Sequence, residues 1–486
     1  MSEESSKEWI LEAETEYRFE LDPGTSLAIT LVRGDAEVFG AEMVEGKAYL
    51  FGKECKAAVF TWIGCTLKMS QPSTEYVSEE TPMAAYGNLH IAFEQMRVRA
   101  LRKFRGSPDP DGGRGLDKDP PRVLVLGPEN SGKTTLCKTL INYAVRAGQG
   151  WSPLLVNVDP SEGAWAAPGA LSAAPVHSPL PTSSPTFPLG SAASSAPTSL
   201  GANALLPLVY WYGHSNVARN ALLMDRLIRN LGLNANNKFE NDTKGSAAGL
   251  IIDTPSSFAP GTAATNEHRQ KLIKACIEAF KINVILVVGH EKLNVEMQRT
   301  YGNILKVVKV PKSGGVVELD HGYRERIHNY QLHGYMYGEV IPPPTGLPSG
   351  VTPSQGGEAL TDLTLSPSSM VINFSDLTIY RIGAETMAPS SALPIGATRV
   401  ISEMQPVLVD PAQPGSGLLN AILAVLAPFS PDENERYDEE ILDLTVIGFI
   451  AITNLDVAHK KMTVLAPSQG SLAGRTAIVG SYEWQE

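Results

Sequence analysis

From residue 9 to about 82, apolar and polar positions alternate in short stretches. EYRFEL, SLAITLV, AEVFG, KAYLFG and AAVFTWIGCTLKM follow one another, separated by glycine and proline. A period of two with frequent turns predicts a small all-β unit. The period then changes. In MAAYGNLHIAFEQMRVRALRKFR, residues 83–105, Leu89, Phe93, Met96 and Ala100 recur at helical spacing, so a connecting helix is expected. Its end holds Arg97, Arg99, Arg102, Lys103 and Arg105. A solvated, cationic last turn suits the helix dipole, with a nucleic-acid contact as the alternative.

The Gly-, Pro- and Asp-rich stretch 106–121 reads as a linker. After it, RVLVLG predicts a buried strand, and KTTLCKTLINYAVRAG predicts a helix. Leu136, Leu140, Ile141, Ala144 and Val145 form its apolar stripe, and Gly148 suits its C-terminal cap. The runs LLVNVD, AGLIIDTP, NVILVVG and ILKVVKV follow, several of them separated by helical patterns. Buried strands alternating with helices predict a parallel sheet covered on both faces, spanning 122–341. Residues 170–202 interrupt it. They are dominated by Ala, Pro, Ser, Thr and Gly, and between Glu162 and Arg219 there is no Asp, Glu, Lys or Arg. Such a composition predicts a mobile, low-complexity insert. A second Pro/Gly-rich stretch, 342–360, precedes a β-rich region at 361–486 with the strand-like runs SSMVINFSDLTIYRI, LTVIGFIAITNLD, KKMTVLAP and TAIVGS.

At 486 residues, more than one core is expected. The net charge of −12 argues against broad nucleic-acid binding, so any RNA contact would be weak or confined to a local groove. Cys55, Cys65, Cys137 and Cys276 lack metal-ligand spacing and read as reduced thiols. The polar start MSEESSKEW is not a secretory signal, and no apolar run is long enough to span a membrane.

The chemistry is concentrated in LGPENSGKTT, residues 126–135. Gly127, four residues, then Gly132-Lys133-Thr134 is P-loop spacing, set between a strand pattern and an amphipathic helix. Amides of such a loop converge on phosphate oxygens at a helix N-terminus. Lys133 would reach the β- and γ-phosphates, and the Thr134 hydroxyl would hold Mg²⁺. Asp159 ends a run expected to lie beside the P-loop strand. It can hold the metal, accept a proton from an attacking hydroxyl, or simply cap a turn before Pro160. Asp253 in LIIDTP is its rival for the metal. The spacing does not identify the base.

ETEYRFEL, AAVFTWIGC, EYVSEETPM, VLGPENSGKTT, LINYAVRAG, LVYWYGH and VVKVPKSGGVVE together carry a resemblance. The chain resembles the eukaryotic polyribonucleotide 5′-hydroxyl-kinase family, and within it the P-loop subunit of the pre-mRNA cleavage and polyadenylation machinery (cleavage factor IA in fungi). The resemblance implies an N-terminal β-sandwich, a central P-loop kinase-like domain and a small β-rich α+β C-terminal domain. It implies ATP and Mg²⁺ as cofactors, with Glu16 and Lys56 reaching the base and Asn130, Ser131, Gly132, Lys133, Thr134 and Thr135 contacting phosphates. Composition alone would leave Glu16 and Lys56 as surface charges.

Three departures bear on turnover. In DPSEG, Asp159 is kept but Glu162 stands where active members carry Gln. IDTPSSFAPG lacks the family's RNA-stacking Trp. The lid reads YRERIHNY, so Arg324 matches the first of two clamping arginines and His328 falls at the second. Neutral histidine does not replace a forked guanidinium, and Arg326 at i+2 faces away from Arg324 on a helix.

The departures point to an ATP-binding scaffold with little or no turnover, and the resemblance implies a nuclear location. Its implied partners are the cleavage-factor subunit that binds the polymerase II C-terminal domain and other cleavage and polyadenylation factors. The alternative is an active RNA 5′-hydroxyl kinase using Asp159 and Arg324. A GTPase-like switch is disfavoured, because VVGHEKLN stands where a guanine-binding motif would be.

Overall fold

The alternating stretches of the first region fold as nine strands: β1 (Lys7–Leu11), β2 (Thr15–Glu20), β3 (Leu27–Gly34), β4 (Glu37–Val38), β5 (Ala41–Glu42), β6 (Ala48–Phe51), β7 (Lys56–Thr61), β8 (Cys65–Met69) and β9 (Thr74–Ser78). They make two antiparallel sheets, ordered β1-β8-β3-β6 and β5-β4-β7-β2-β9. Their facing sides enclose Tyr17, Phe19, Leu27, Ile29, Leu31, Val59 and Leu67, so the region is a β-sandwich. The structure, a computed structural model, describes residues 7–70, 72–107, 119–180, 182, 207–261, 266–338, 367–383, 404–429 and 438–485.

Helix α1 (Met83–Phe104) buries Met83, Tyr86, Phe93, Met96 and Ala100. Its cationic end is less solvated than expected. Arg97 is 1% exposed and donates from Nε to the Ala248 carbonyl at 3.0 Å. That carbonyl ends another helix and needs a donor from outside it. The exposed cations begin at Arg102.

The central region continues with β10 (Arg122–Leu126), α2 (Lys133–Arg146), β11 (Leu154–Asn157), β12 (Ala170–Pro175), β13 (Leu208–Trp211), α3 (Ala221–Asn241), α4 (Thr243–Ala248), β14 (Leu250–Asp253), α5 (Asn266–Phe280), β15 (Val284–Val288), α6 (Glu291–Tyr301), β16 (Lys306–Val310) and α7 (His321–Tyr337). The sheet order is β13-β12-β11-β14-β10-β15-β16. Strands β11, β14, β10, β15 and β16 are parallel, as the buried runs imply. Apolar residues of α3, α5 and α6 cover one face, and those of α1 and α2 cover the other.

Two expectations change here. The sheet is mixed, because β12 and β13 add antiparallel to its edge. The expected mobile insert therefore begins as a strand: Leu171, Ala173 and Ala174 are buried in it. Small side chains fit because the neighbourhood is tight. A Cβ on Gly169 would lie 2.7 Å from the Tyr482 ring and 3.0 Å from that of Trp211. Residues 183–202 lie outside the described residues, as do 342–360 and most of 106–121. The second change is adjacency. Strand β14 lies between β10 and β11, so Asp253, not Asp159, ends the strand beside the P-loop strand.

The third region holds β17 (Ser368–Asn373), β18 (Leu377–Ile382), β19 (Pro406–Leu408), β20 (Ala421–Leu426), β21 (Val446–Asp456), β22 (Lys461–Ala466) and β23 (Arg475–Glu483), in the order β17-β22-β21-β20-β23-β18-β19. It is β-rich as expected, and its helical part among the described residues is 3-10 turns. Strand β20 (AILAVL) was not among the expected strands. It is wholly buried at the middle of the sheet, and its uninterrupted apolar run was the available signal.

Candidate nucleotide site

Strand β10 ends at Leu126, and the chain turns through 127–132 into α2. Asn130 and Gly132 adopt positive φ (51° and 85°), which turns the backbone into an amide-lined nest at the helix start. Gly127 has no room for a side chain, since a Cβ would sit 2.7 Å from Ser131 Oγ. Ser131 Oγ and Lys133 Nζ both donate to the Pro128 carbonyl, at 2.8 and 3.0 Å. The Thr134 hydroxyl donates to Asp253 Oδ2 at 2.5 Å. Asp253 is 1% exposed, and burial pushes its carboxyl up to about 7 against the pull of Lys133 and Thr134. This hydroxyl and carboxylate, both hard oxygen donors, form a pair suited to Mg²⁺.

Asp159 follows β11 and accepts from the amide and hydroxyl of Ser161 at 3.0 and 2.6 Å. It therefore makes the turn that the sequence allowed, while still lining the cavity beside the P-loop.

That cavity, of about 800 Å³, gathers nearly all the residues singled out in the sequence. Glu16, Lys56, Asn130, Ser131, Gly132, Lys133, Thr134, Thr135, Asp159 and Arg324 line it together. Glu16 is 4% exposed. It accepts from Arg18 Nε at 2.8 Å and from the Thr81 hydroxyl. Lys56 pairs with Glu20 at 2.5 Å and lies over the Tyr323 ring. The sandwich thus forms one wall and the P-loop the opposite one. Of the GG in PKSGGVVE, the second glycine is the tight one: a Cβ on Gly315 would approach Arg18 Nε to 2.7 Å, whereas one on Gly314 would meet Arg18 at an ordinary 3.5 Å. Arg18 and Lys138 were missed in the sequence. Lys138, 3% exposed on α2, interrupts an apolar helix, and that was its only signal. Arg18 carried no signal of its own.

Helix α7 forms the lid. Arg324 donates from Nη2 to Asn130 Oδ1 at 2.8 Å and from Nη1 to Glu162 Oε1 at 3.2 Å, and pairs with Glu129 at 2.9 Å. His328, one turn on, lies 2.6 Å from the Ser161 carbonyl through Nε2. Burial lowers its pKa against the opposing pull of the Ser161 carbonyl, and the Arg324 guanidinium lowers it further, which favours the neutral ring. Arg326 points elsewhere and pairs bidentately with Glu54 of the sandwich at 3.0 and 2.8 Å.

Comparison with known proteins follows this division of the chain. Residues 10–100 match the N-terminal beta-sandwich domain of polyadenylation factor, and residues 127–338 match the mRNA cleavage and polyadenylation factor CLP1 P-loop. Residues 365–486 match the pre-mRNA cleavage complex II protein Clp1 family. The mRNA cleavage and polyadenylation factor CLP1 of Laccaria bicolor is 73% identical, with 100% of each chain covered. The protein CLP1 homolog of Arabidopsis thaliana is 34% identical over 98% of this chain and 94% of its own. Wild-type Clp1p, solved in complex with Pcf11p, shares the fold with a TM-score of 0.77 at 22% identity, covering 99% of both chains. A second Clp1p structure, describing an extended interface with Pcf11p and ATP loss in a point mutant, gives 0.76 at 23% identity over 100% of both.

Proposed function

The chain belongs to the CLP1 family of mRNA cleavage and polyadenylation factors, and from that membership we propose that it is a nuclear scaffold subunit of pre-mRNA 3′-end processing that binds ATP and turns it over little or not at all. Lys133, Thr134 and Thr135 with the loop amides hold the phosphates, and Thr134 and Asp253 hold Mg²⁺. Asp253 takes the metal role in place of Asp159 because it bonds Thr134 directly. Glu16 and Lys56 take the base from the opposite wall. A ligand touching both walls stabilises their closed arrangement by its own binding free energy. The partner of this platform is a Pcf11-type subunit, the protein with which the similar Clp1p is complexed.

The observation that carries low turnover is the state of the lid. Transfer of a phosphoryl group depends on cations that neutralise its transition state, and a supplied arginine is worth about 10³-fold or more. Here Arg324 is shared between Glu129, Glu162 and Asn130, the next turn offers a neutral imidazole, and Arg326 serves Glu54.

The test follows label from γ-labelled ATP to a 5′-hydroxyl RNA. Wild-type protein is expected to transfer almost none, and protein purified without added nucleotide to release intact ATP on denaturation. Transfer at ordinary kinase rates that Lys133→Ala abolishes would establish the kinase instead.

A further inference from the structure

We infer that Glu162 is the residue that sets how strongly this cavity prefers a nucleoside triphosphate over a diphosphate, by placing a carboxylate at the terminal-phosphate end and engaging Arg324. The inference rests on reading the cavity as an ATP site.

The position of Glu162 is held from three sides. Gln331 of α7 donates from Nε2 to its carbonyl at 2.9 Å, as does the Ala164 amide at 2.9 Å. The preceding carbonyl, of Ser161, is bound by His328. Gly163, at φ 63°, lies so close to Gln331 that a Cβ there would stand 2.7 Å from Oε1. The loop therefore cannot swing away without breaking contacts to the lid helix. The carboxylate it presents meets Arg324 Nη1 at 3.2 Å. Burial raises its pKa and Asp159 raises it further, while Arg324 and Lys133, the lysine that serves terminal phosphates, oppose that shift and favour the charged form.

Charge makes the consequence directional. The cavity wall carries Glu129, Asp159 and Glu162 near Lys133 and Arg324. A terminal phosphate brings further negative charge to that end, and a diphosphate lacks it. Replacing Glu162 by an amide of the same shape removes one repulsive charge and releases one Arg324 contact. Both changes favour the triphosphate, and neither reaches the rest of the nucleotide. Across several ångströms of partly solvated protein, a unit charge is worth about tenfold in affinity.

The experiment titrates nucleotide-free full-length protein with the Mg²⁺ complexes of β,γ-imido-ATP and ADP. Glu162→Gln is expected to tighten the triphosphate analogue about tenfold and to leave ADP within about twofold of wild type. Glu162→Asp, which keeps the charge but draws it back from Arg324, is expected to give a ratio between those of wild type and Glu162→Gln. Adding Arg324→Gln to Glu162→Gln is expected to cancel much of the gain. An unchanged ratio in Glu162→Gln, or equal shifts for both nucleotides, overturns the inference. Because the analogue is not cleaved, the ratio is readable even if the wild type proves to be a kinase, so failure of the scaffold reading is seen separately in label transfer.

Discussion

Lys138 shows at the scale of one residue how burial alone sets a property. It sits on α2, one turn beyond the phosphate loop, and burial pushes its ammonium down to about 7 from an ordinary 10.5, with nearby Cys55 opposing. Between those values the unfolded chain binds more protons than the folded one, so the contribution of Lys138 to stability grows as pH rises from 7 towards 10.5. Urea denaturation of wild type and Lys138→Met at several pH values should show the difference moving in favour of the wild type across that window, by about 2–4 kcal/mol. A pH-independent difference would mean that the lysine titrates normally. Single residues also explain motifs. At Gly127 and Gly315 a Cβ would force Ser131 or Arg18 to shift, whereas Gly148 follows the end of α2 at φ 73°, the left-handed position expected for a terminating glycine.

At the scale of elements, α7 links the whole assembly. Its first turns touch the P-loop through Arg324 and the sandwich through Arg326. Its last turns bury Leu332, Tyr335 and Met336 among Trp211, Ile422, Phe449 and Trp484, and Tyr335 Oη accepts from the Phe449 amide at 3.1 Å. Glu54, 3% exposed, gives the Arg326 pair its leverage, because removing the cation strands a buried carboxylate. Arg326→Ala should therefore loosen the sandwich from the lid and speed release of bound ATP, measured by chasing a fluorescent analogue with unlabelled nucleotide. A release rate equal to wild type would show that the Arg326–Glu54 pair does not control the separation of the two walls, which Tyr143 and Arg146 of α2 also join through Glu37.

Over the whole molecule, the nucleotide cavity is an interface between regions, and stability should depend on its occupant. Saturating MgATP at a hundredfold over its Kd should add about 2.7 kcal/mol and raise the melting temperature. Glu16→Ala should remove much of that gain and weaken binding of the Pcf11-type partner. It removes one side chain from the sandwich wall of the cavity and leaves Arg18 without its carboxylate. If ATP retention falls while partner binding holds, the platform does not depend on the nucleotide. The overall charge of −12 sets a further expectation, that RNA binding by the isolated protein is weak.

The sequence alone determined whatever depends on contacts close along the chain. The alternation of the sandwich strands, the apolar stripe of α2 and the spacing from Gly127 to Thr134 are all local, and the period of a strand or helix writes itself into neighbouring residues. The resemblance added Glu16 and Lys56, which no local pattern distinguishes from surface charge. Tertiary structure decided the rest, because it depends on which distant segments meet. Inserting β14 between β10 and β11 gave Asp253 to Thr134. Pairing Ala170–Pro175 between β11 and β13 turned the start of a low-complexity stretch into a buried strand. Docking α7 over the loop engaged Arg324 with Glu129 and Glu162. Spacing can name a phosphate-binding loop, but the charges that face it are set only when sheet order and lid position bring them within a few ångströms.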